Sequence, residues 1–131
     1  MPTQVTVHDQ TSSGQETGEL VLDLLTERIT VRELIRSRVY QEVHDYNRKT
    51  QGPFKGLVQP TEAEAELNRP RTPRTRTIDW HRQYEVAIEA FEGNRFLVLV
   101  NDRQVADLDQ ELVLTPETHV AFLRLVPLVG G

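Results

Sequence analysis

The N-terminal part of the chain has the alternating pattern of β-strands. Residues 4–8 alternate polar and apolar positions, and in residues 19–24 the three leucines at even positions fall on one face. The residues between them, 9–18, are rich in Ser, Thr, Gln and Gly. We therefore expect two short strands joined into a hairpin by a long, mobile loop.

A helix with a clear start follows the hairpin. Thr30 and Glu33 have the spacing of a capping box, in which each side chain accepts a hydrogen bond from the other residue's backbone N–H. Apolar residues then recur at three- and four-residue spacing, which predicts an amphipathic helix over residues 31–47. They are Val31, Leu34, Ile35, Val39, Val43 and Tyr46. The charged and polar positions assigned mostly to the other face are Arg32, Arg36, Gln41, Glu42 and Asp45.

Residues 48–78 differ in composition from both flanks. They contain four prolines, an acidic run over 62–66 and a basic run over 69–76, with few apolar residues. Such a segment is too long for an ordinary connection within a compact domain. We interpret it as an insertion with extended or partly disordered structure. The residues expected to attach it to the body are Phe54, Leu57 and Val58.

Regular structure is predicted again from Asp79, a favourable N-cap for a second, short helix that stops at Gly93. The positions with helical spacing are Trp80, Tyr84, Ala87, Ile88 and Phe91, which we interpret as core. Apolar residues 96–100, a turn at Asn101-Asp102 and residues 103–105 predict two further strands. Residues 119–126 predict the last one.

The order of these elements indicates an α+β fold. There are too few helices for a doubly wound sheet, so a mixed sheet with one main helix across it is the economical solution. A right-handed crossover then places the final strand parallel to the first, in the middle of the sheet. This is the β-grasp arrangement. We expect one domain over residues 1–131, with the insertion at 48–78 and a flexible tail over 127–131.

Composition narrows the function classes. The chain of 131 residues has a net charge of -5, which argues against a general nucleic-acid binder. The absence of cysteine excludes disulfides, thiolate catalysis and Cys-based metal sites. No apolar run has the length of a membrane span, and the N-terminus does not have the pattern of a signal peptide. A cytoplasmic, monomeric protein is the expectation.

The remaining candidates for chemistry are weak. His81 and Glu85 share helical spacing, but a surface pair is the favoured interpretation. The other histidines, His8, His44 and His119, are scattered and read as polar positions rather than ligands. Asp107 and Asp109 indicate a turn, and the basic run over 69–76 is best read as a solvated linker. No nucleophile–base set, phosphate loop or metal spacing is evident.

Residues 96–131 resemble the ubiquitin-like sulfur carriers, namely the small subunit of molybdopterin synthase and the thiamine-pathway carrier; ubiquitin shares their fold and terminus. The residues that carry the resemblance are Phe96–Val100, Asn101–Val105, Leu108-Asp109, Leu112, Val120–Phe122 and Gly130-Gly131. Residues 4–46 match in the order strand, strand, helix. The insertion has no counterpart in the compact carriers, and Arg124-Leu125 extends the last strand by two residues.

The resemblance implies that this chain is a substrate and not an enzyme. Family enzymes use ATP to adenylate the C-terminal carboxylate, here that of Gly131, and Gly130 and Gly131 lack the Cβ atoms that would obstruct a narrow active site. A sulfur donor, an enzyme cysteine or a target lysine can then receive the activated carboxyl carbon. No cofactor is expected to bind the chain itself. The partners implied are an activating enzyme, a conjugating enzyme and a deconjugating protease.

Three hypotheses remain open: a bacterial ubiquitin-like modifier, a sulfur carrier with a C-terminal thiocarboxylate, and a noncovalent docking module. The last strand is apolar on both faces, so one face meets the helix and the other is either covered by the insertion or docks a partner. The predicted partner-binding residues are Leu123, Leu125, Pro127, Leu128 and Val129. Arg124 is expected to reach solvent. The chain has 13 arginines but only two lysines, Lys49 and Lys55. These two are the candidate acceptors if the protein is conjugated to another copy of itself.

Overall fold

The computed structural model describes residues 2–47, 57 and 79–125. The elements within these ranges, in chain order, are β1 (Thr3–Thr11), β2 (Glu16–Leu24), β3 (Arg28–Thr30), α1 (Val31–Asn47), α2 (Trp80–Glu92), β4 (Phe96–Val100), β5 (Arg103–Val105), β6 (Glu111–Val113) and β7 (Val120–Arg124). Apart from Leu57, the predicted insertion lies outside the described residues, as does the segment 126–131.

The strands form a mixed sheet of five in the order β2-β1-β7-β4-β5, together with a small second sheet of β3 and β6. β7 runs parallel to β1 and antiparallel to β4. β1 with β2 and β4 with β5 are antiparallel pairs. The predicted α+β class, the mixed sheet and the central strand parallel to the first are therefore confirmed.

The long mobile loop predicted for residues 9–18 is wrong. The β1–β2 ladder continues from Thr3↔Leu24 to Gln10↔Glu16, and a tight turn closes it. The N–H of Thr11 donates to the carbonyl of Gln15 at 2.9 Å, and Gly14 takes the left-handed φ of +88° that glycine tolerates without strain. Backbone pairing extends through the polar residues because strand hydrogen bonds do not require apolar side chains.

The predicted helix over 31–47 is confirmed as α1, and its start has the predicted capping box. The N–H of Glu33 donates to Thr30 Oγ1 at 3.2 Å, and Glu33 Oε1 accepts from the Thr30 N–H at 3.1 Å. Two further N–H groups of the first turn donate to loop carbonyls, Val31 to Gln110 and Arg32 to Leu108. The short sheet of β3 and β6 thus fixes where α1 begins. The sequence pattern missed both strands, because three residues each are too few to show a period.

The predicted second helix and the β4–β5 hairpin are confirmed. Asp79 Oδ1 accepts from the N–H of His81 at 3.0 Å at the start of α2, and Gly93 forms its C-cap. Asn101 and Asp102 both have positive φ, 51° and 67°, as a two-residue hairpin turn with the twist of the strands requires. The last strand is shorter than predicted: β7 begins at Val120 and ends at Arg124.

One hydrophobic core lies between the inner face of the large sheet and the two helices. The sheet contributes Val5, Val7, Leu22, Leu24, Phe96, Val98, Val120 and Phe122, and the helices contribute Val31, Leu34, Ile35, Val39, Val43, Ala87 and Phe91. Leu57 is buried in this core, as predicted. Phe54 and Val58 lie outside the described residues. Trp80 and Tyr84 pack against the margin of the core and are only partly buried.

The capping box gives a direct test of what initiates α1. Thr30→Ala removes the hydroxyl that accepts from the Glu33 N–H, so we expect a loss of about 1 kcal/mol in the free energy of unfolding. Urea denaturation followed by circular dichroism measures it. Thr30→Ser keeps the acceptor and is the control. Equal losses in the two variants would contradict a role for the hydroxyl.

Candidate functional site at the end of the central strand

The chain leaves the sheet from its middle. At the end of β7, Arg124 lies in register between Thr11 of β1 and Phe96 of β4. The N–H of Leu125 then donates to the carbonyl of Arg95 at 3.0 Å. The backbone that precedes the segment 126–131 is therefore held by neighbouring strands on both sides.

Beneath this exit point lies a buried guanidinium. Arg38, on the core side of α1, is 1% exposed and donates from Nη2 to Asp9 Oδ2 at 2.7 Å and from Nη1 to Asp9 Oδ1 at 2.5 Å. Its Nε donates to Glu42 Oε1 at 3.1 Å, one turn further along the helix. The flat guanidinium also packs 4.6 Å from the ring centroid of Phe122 in β7. Arg38 thus ties β1, α1 and β7 together.

Two further groups complete this cluster, which we call the Arg38 cluster: Asp9, Arg38, Glu42, Arg124 and the backbone N–H of Leu57. Arg124 Nη2 lies 3.4 Å from Asp9 Oδ2, and the Leu57 N–H donates to Glu42 Oε1 at 3.1 Å. The two carboxylates balance the two guanidiniums. The cluster therefore joins the end of β7 to α1 and to the one described residue of the 48–78 segment.

The two guanidiniums have opposite pKa shifts. Burial by itself lowers the pKa of Arg38, but Glu42 and Asp9 outweigh it, and the net pKa is raised. For Arg124 burial is the largest effect and the positive charge of Arg38 adds to it, so its pKa is lowered. Near neutral pH both groups remain charged, and the balanced pairing persists.

The opposite faces of β7 differ as the sequence predicted. Val120 and Phe122 are fully buried beneath the helices. On the outer face, Leu123 is half-buried beside Leu97 of β4, and Leu125 beyond the strand is 40% exposed. Arg124 keeps 30% of its side chain exposed but turns its guanidinium towards Asp9. Of the five predicted partner-binding residues, Leu123 is therefore partly accessible on the outer face and Leu125 is exposed just after the strand.

The remaining predicted site residues lie outside the described residues. They are Pro127, Leu128, Val129, Gly130, Gly131, Lys49 and Lys55. The described residues themselves contain no lysine. Any ε-amine acceptor within this sequence is therefore confined to the two positions that follow α1.

Sequence reasoning missed the Arg38 cluster. Glu42 was assigned to the solvent face, yet its side chain is 11% exposed, and neither Asp9 nor Arg38 was singled out. A signal was present. Arg38 falls four residues after Leu34 within the apolar stripe, Glu42 follows one turn later, and Asp9 continues the inward alternation of Val5 and Val7. Opposite charges in core positions of two elements indicate a buried ion pair.

The histidines are less scattered than the sequence suggested. The rings of His8 and His119 stack, with centroids 4.5 Å apart and planes 12° apart, and His44 stacks on Tyr40. His81 Nδ1 lies 3.6 Å from Glu85 Oε1, and both side chains are about two-thirds exposed or more, at 66% and 71%. That pair is the surface pair that the spacing favoured. Asp107 Oδ1 accepts from the N–H of Asp109 in the predicted turn.

Comparison with protein-family models, curated proteins and solved structures finds no match to this chain. Among the described residues no helix combines the length and apolar character needed to cross a membrane.

The Arg38 cluster predicts an asymmetric response to mutation. Arg38→Met leaves two partly buried carboxylates facing each other, so we expect a loss of roughly 3 kcal/mol or more in the free energy of unfolding. Arg103→Met, at an exposed arginine of β5, is the control and is expected to change stability by under about 0.5 kcal/mol. Urea denaturation of both variants provides the measurement. Similar stability of the two would mean that the buried ion pairs do not hold the fold.

Proposed function

We propose that this chain is a ubiquitin-like protein modifier with a β-grasp fold, activated at the carboxylate of Gly131 and joined to amines of target proteins. The observation that carries the proposal is the position of β7. It lies between a parallel β1 and an antiparallel β4, and it leads into the segment that holds Gly130-Gly131.

The fold supports this assignment through its strand order. In the order β2-β1-β7-β4-β5, the first and last strands are parallel neighbours at the centre, and α1 packs across one face. This order is compatible with a β-grasp. It leaves the other face of the sheet for contact with a partner, and β7 ends between β1 and β4 in the middle of the sheet.

The chemistry needs little from the chain beyond an accessible glycine. In the activation step, a carboxylate oxygen of Gly131 attacks the α-phosphorus of ATP and pyrophosphate leaves. An amine, or first an enzyme thiolate, then attacks the carboxyl carbon and AMP leaves. The activating enzyme supplies the ATP site, so the chain serves as substrate. Gly130 and Gly131 let the backbone approach that site closely because they have no Cβ.

The partner surface is the outer face of β7 and its continuation. Leu123 and Leu125 present apolar area there, and Pro127, Leu128 and Val129 follow in sequence. An activating enzyme that binds the outer face of the adjoining sheet would thereby orient the C-terminal segment towards its own active site. The Arg38 cluster contributes to this role because, on the inner side of the sheet, it holds the end of β7, from which residues 126–131 continue.

The scarcity of lysine suits a modifier that is attached singly. Because the described body has no ε-amine, self-conjugation is limited to Lys49, Lys55 and an N-terminal amine. Arginine bias in the genome accounts for the same composition, so this feature is compatible with the proposal without carrying it.

A sulfur carrier is the second candidate. The observation that favours it is the apolar, proline-containing sequence Val126–Val129, which resembles the carriers more than the basic tail of ubiquitin. In that case sulfide sulfur from a donor replaces AMP on the acyl-adenylate and leaves a thiocarboxylate. The two candidates share the activation step and differ in what the carboxyl carbon receives.

Deleting Gly130-Gly131, or adding one residue after Gly131, is expected to abolish ATP–pyrophosphate exchange by an adenylating enzyme from the same genome. The fold should persist, since both changes lie beyond β7, and circular dichroism provides that control. Mass spectrometry of the wild-type products then separates the candidates. An isopeptide at Gly131 indicates the modifier, and replacement of oxygen by sulfur indicates the carrier. Normal activation of the extended protein would contradict both and favour a noncovalent docking module.

The outer face gives a second prediction. Leu125→Asp places a charge on the proposed contact surface, so we expect activation to weaken by about tenfold or more with little change in stability. Val113→Asp alters another exposed apolar residue, which is 56% exposed in β6, and serves as the matched control. The measurement is the KM of the activating enzyme for each variant. Equal KM values would exclude Leu125 from the interface.

A further inference from the structure

The β1–β2 hairpin carries a group of metal-ligating side chains on its outer face. His8 lies directly opposite Glu19 in the ladder, and Glu16 lies opposite Gln10. Residues 16 and 19 would point to opposite faces of a regular strand, because they are an odd number of residues apart. A register shift between Asp9 and Gln10 inserts an extra residue into β2 and brings both glutamates to the face of His8.

The three side chains converge. His8 Nδ1 lies 2.9 Å from Glu16 Oε1, and one ligand atom from each of His8, Glu16 and Glu19 lies within 4.8 Å of the others. Nδ1 is shielded from solvent, and its nearest carboxylate oxygen is that of Glu16. The ring is held in place by stacking on His119. An imidazole nitrogen shielded from solvent therefore faces two carboxylates.

The hairpin around these three side chains carries an excess of negative charge. Residues 2–27 contain five acidic residues and neither lysine nor arginine. Arg38 and Arg124, which the tertiary fold brings to β1, pair with Asp9 on the inner face. The two outer carboxylates thus face His8 without an arginine or lysine from their own hairpin, in a setting that a cation would neutralise.

We propose that His8, Glu16 and Glu19 bind a first-row divalent transition metal, with Zn²⁺ as the representative ion. One imidazole nitrogen and two carboxylates are a donor set for such ions, and three protein ligands leave a fourth position for water. Mg²⁺ and Ca²⁺ prefer oxygen ligands throughout, so an imidazole disfavours them. The metal would join β1 to β2 at the bulge, beside Ala121 of β7.

The site is independent of the proposed function and differs from the sequence interpretation, in which His8 is a polar strand position. The competing occupant is a proton, since an imidazolium would also neutralise the two carboxylates. The two occupants are distinguishable. A proton on the imidazole requires no metal, whereas occupation of the site by Zn²⁺ depends on the concentration of added Zn²⁺.

The test uses untagged protein that has been treated with EDTA and dialysed. We expect ZnCl₂ to bind with a stoichiometry of one by calorimetry and to raise the Tm at pH 7.5, with no comparable effect of MgCl₂. Glu19→Gln removes the charge of one proposed ligand, and because Glu19 is exposed the change does not disturb the core. We expect it to weaken Zn²⁺ binding by at least about tenfold, since the loss of a residue that only hydrogen-bonds to a metal ligand already has an effect of that size. Glu27→Gln, an exposed change of the same charge, should bind as the wild type does.

Imidazole ¹⁵N resonances give a second readout that does not depend on stability. Zn²⁺ is expected to shift the Nδ1 resonance of His8 and to leave that of His81 unchanged. Equal Zn²⁺ affinity in Glu19→Gln and Glu27→Gln would overturn the proposal. So would a wild-type Tm that does not respond to Zn²⁺, because that result leaves the His8–Glu16 pair without a metal.

Discussion

The structure depends on the charge balance around one buried guanidinium. Arg38 contributes a full positive charge to the interior, where the only other buried polar side chain among the described residues is Gln83. Asp9 and Glu42 neutralise that charge from β1 and from the next helical turn. A buried ion pair of this kind adds little net stability over apolar packing, but it penalises any arrangement that separates the partners. It therefore fixes how α1 crosses the sheet and where β7 ends.

The ion pairs of Arg38 also hold the end of β7 in place. Arg124 reaches Asp9, Phe122 packs beneath the Arg38 guanidinium, and Leu57 donates to Glu42, so three parts of the chain meet under one strand terminus. The inner face of β7 is committed to the core, whereas its outer face retains accessible leucines. A strand whose inner face is packed in the core and whose outer face is partly exposed to solvent is well suited to present the segment that follows it to a partner.

The hairpin beside it follows a different physical rule. Its outer face gathers carboxylates around His8, and a single bulge in β2 determines that both glutamates point there. A bulge changes which face a side chain occupies without changing the composition of the strand. The same local irregularity that extends the ladder to the tight turn therefore creates the converging donors. Residues with no periodic relation in the sequence become neighbours on one surface.

The sequence by itself determined the features that depend on nearby residues. The capping box at Thr30, the apolar period of α1, the N-cap at Asp79 and the turn at Asn101-Asp102 are local, because their hydrogen bonds and backbone angles involve residues within about one helical turn. From their order the mixed sheet with a central last strand could also be predicted. Tertiary structure alone decided the rest. The pairing of Asp9 with Arg38, the three-residue strands β3 and β6 and the stacking of His8 on His119 join residues far apart in the chain, and their energies arise only when the fold brings them into contact.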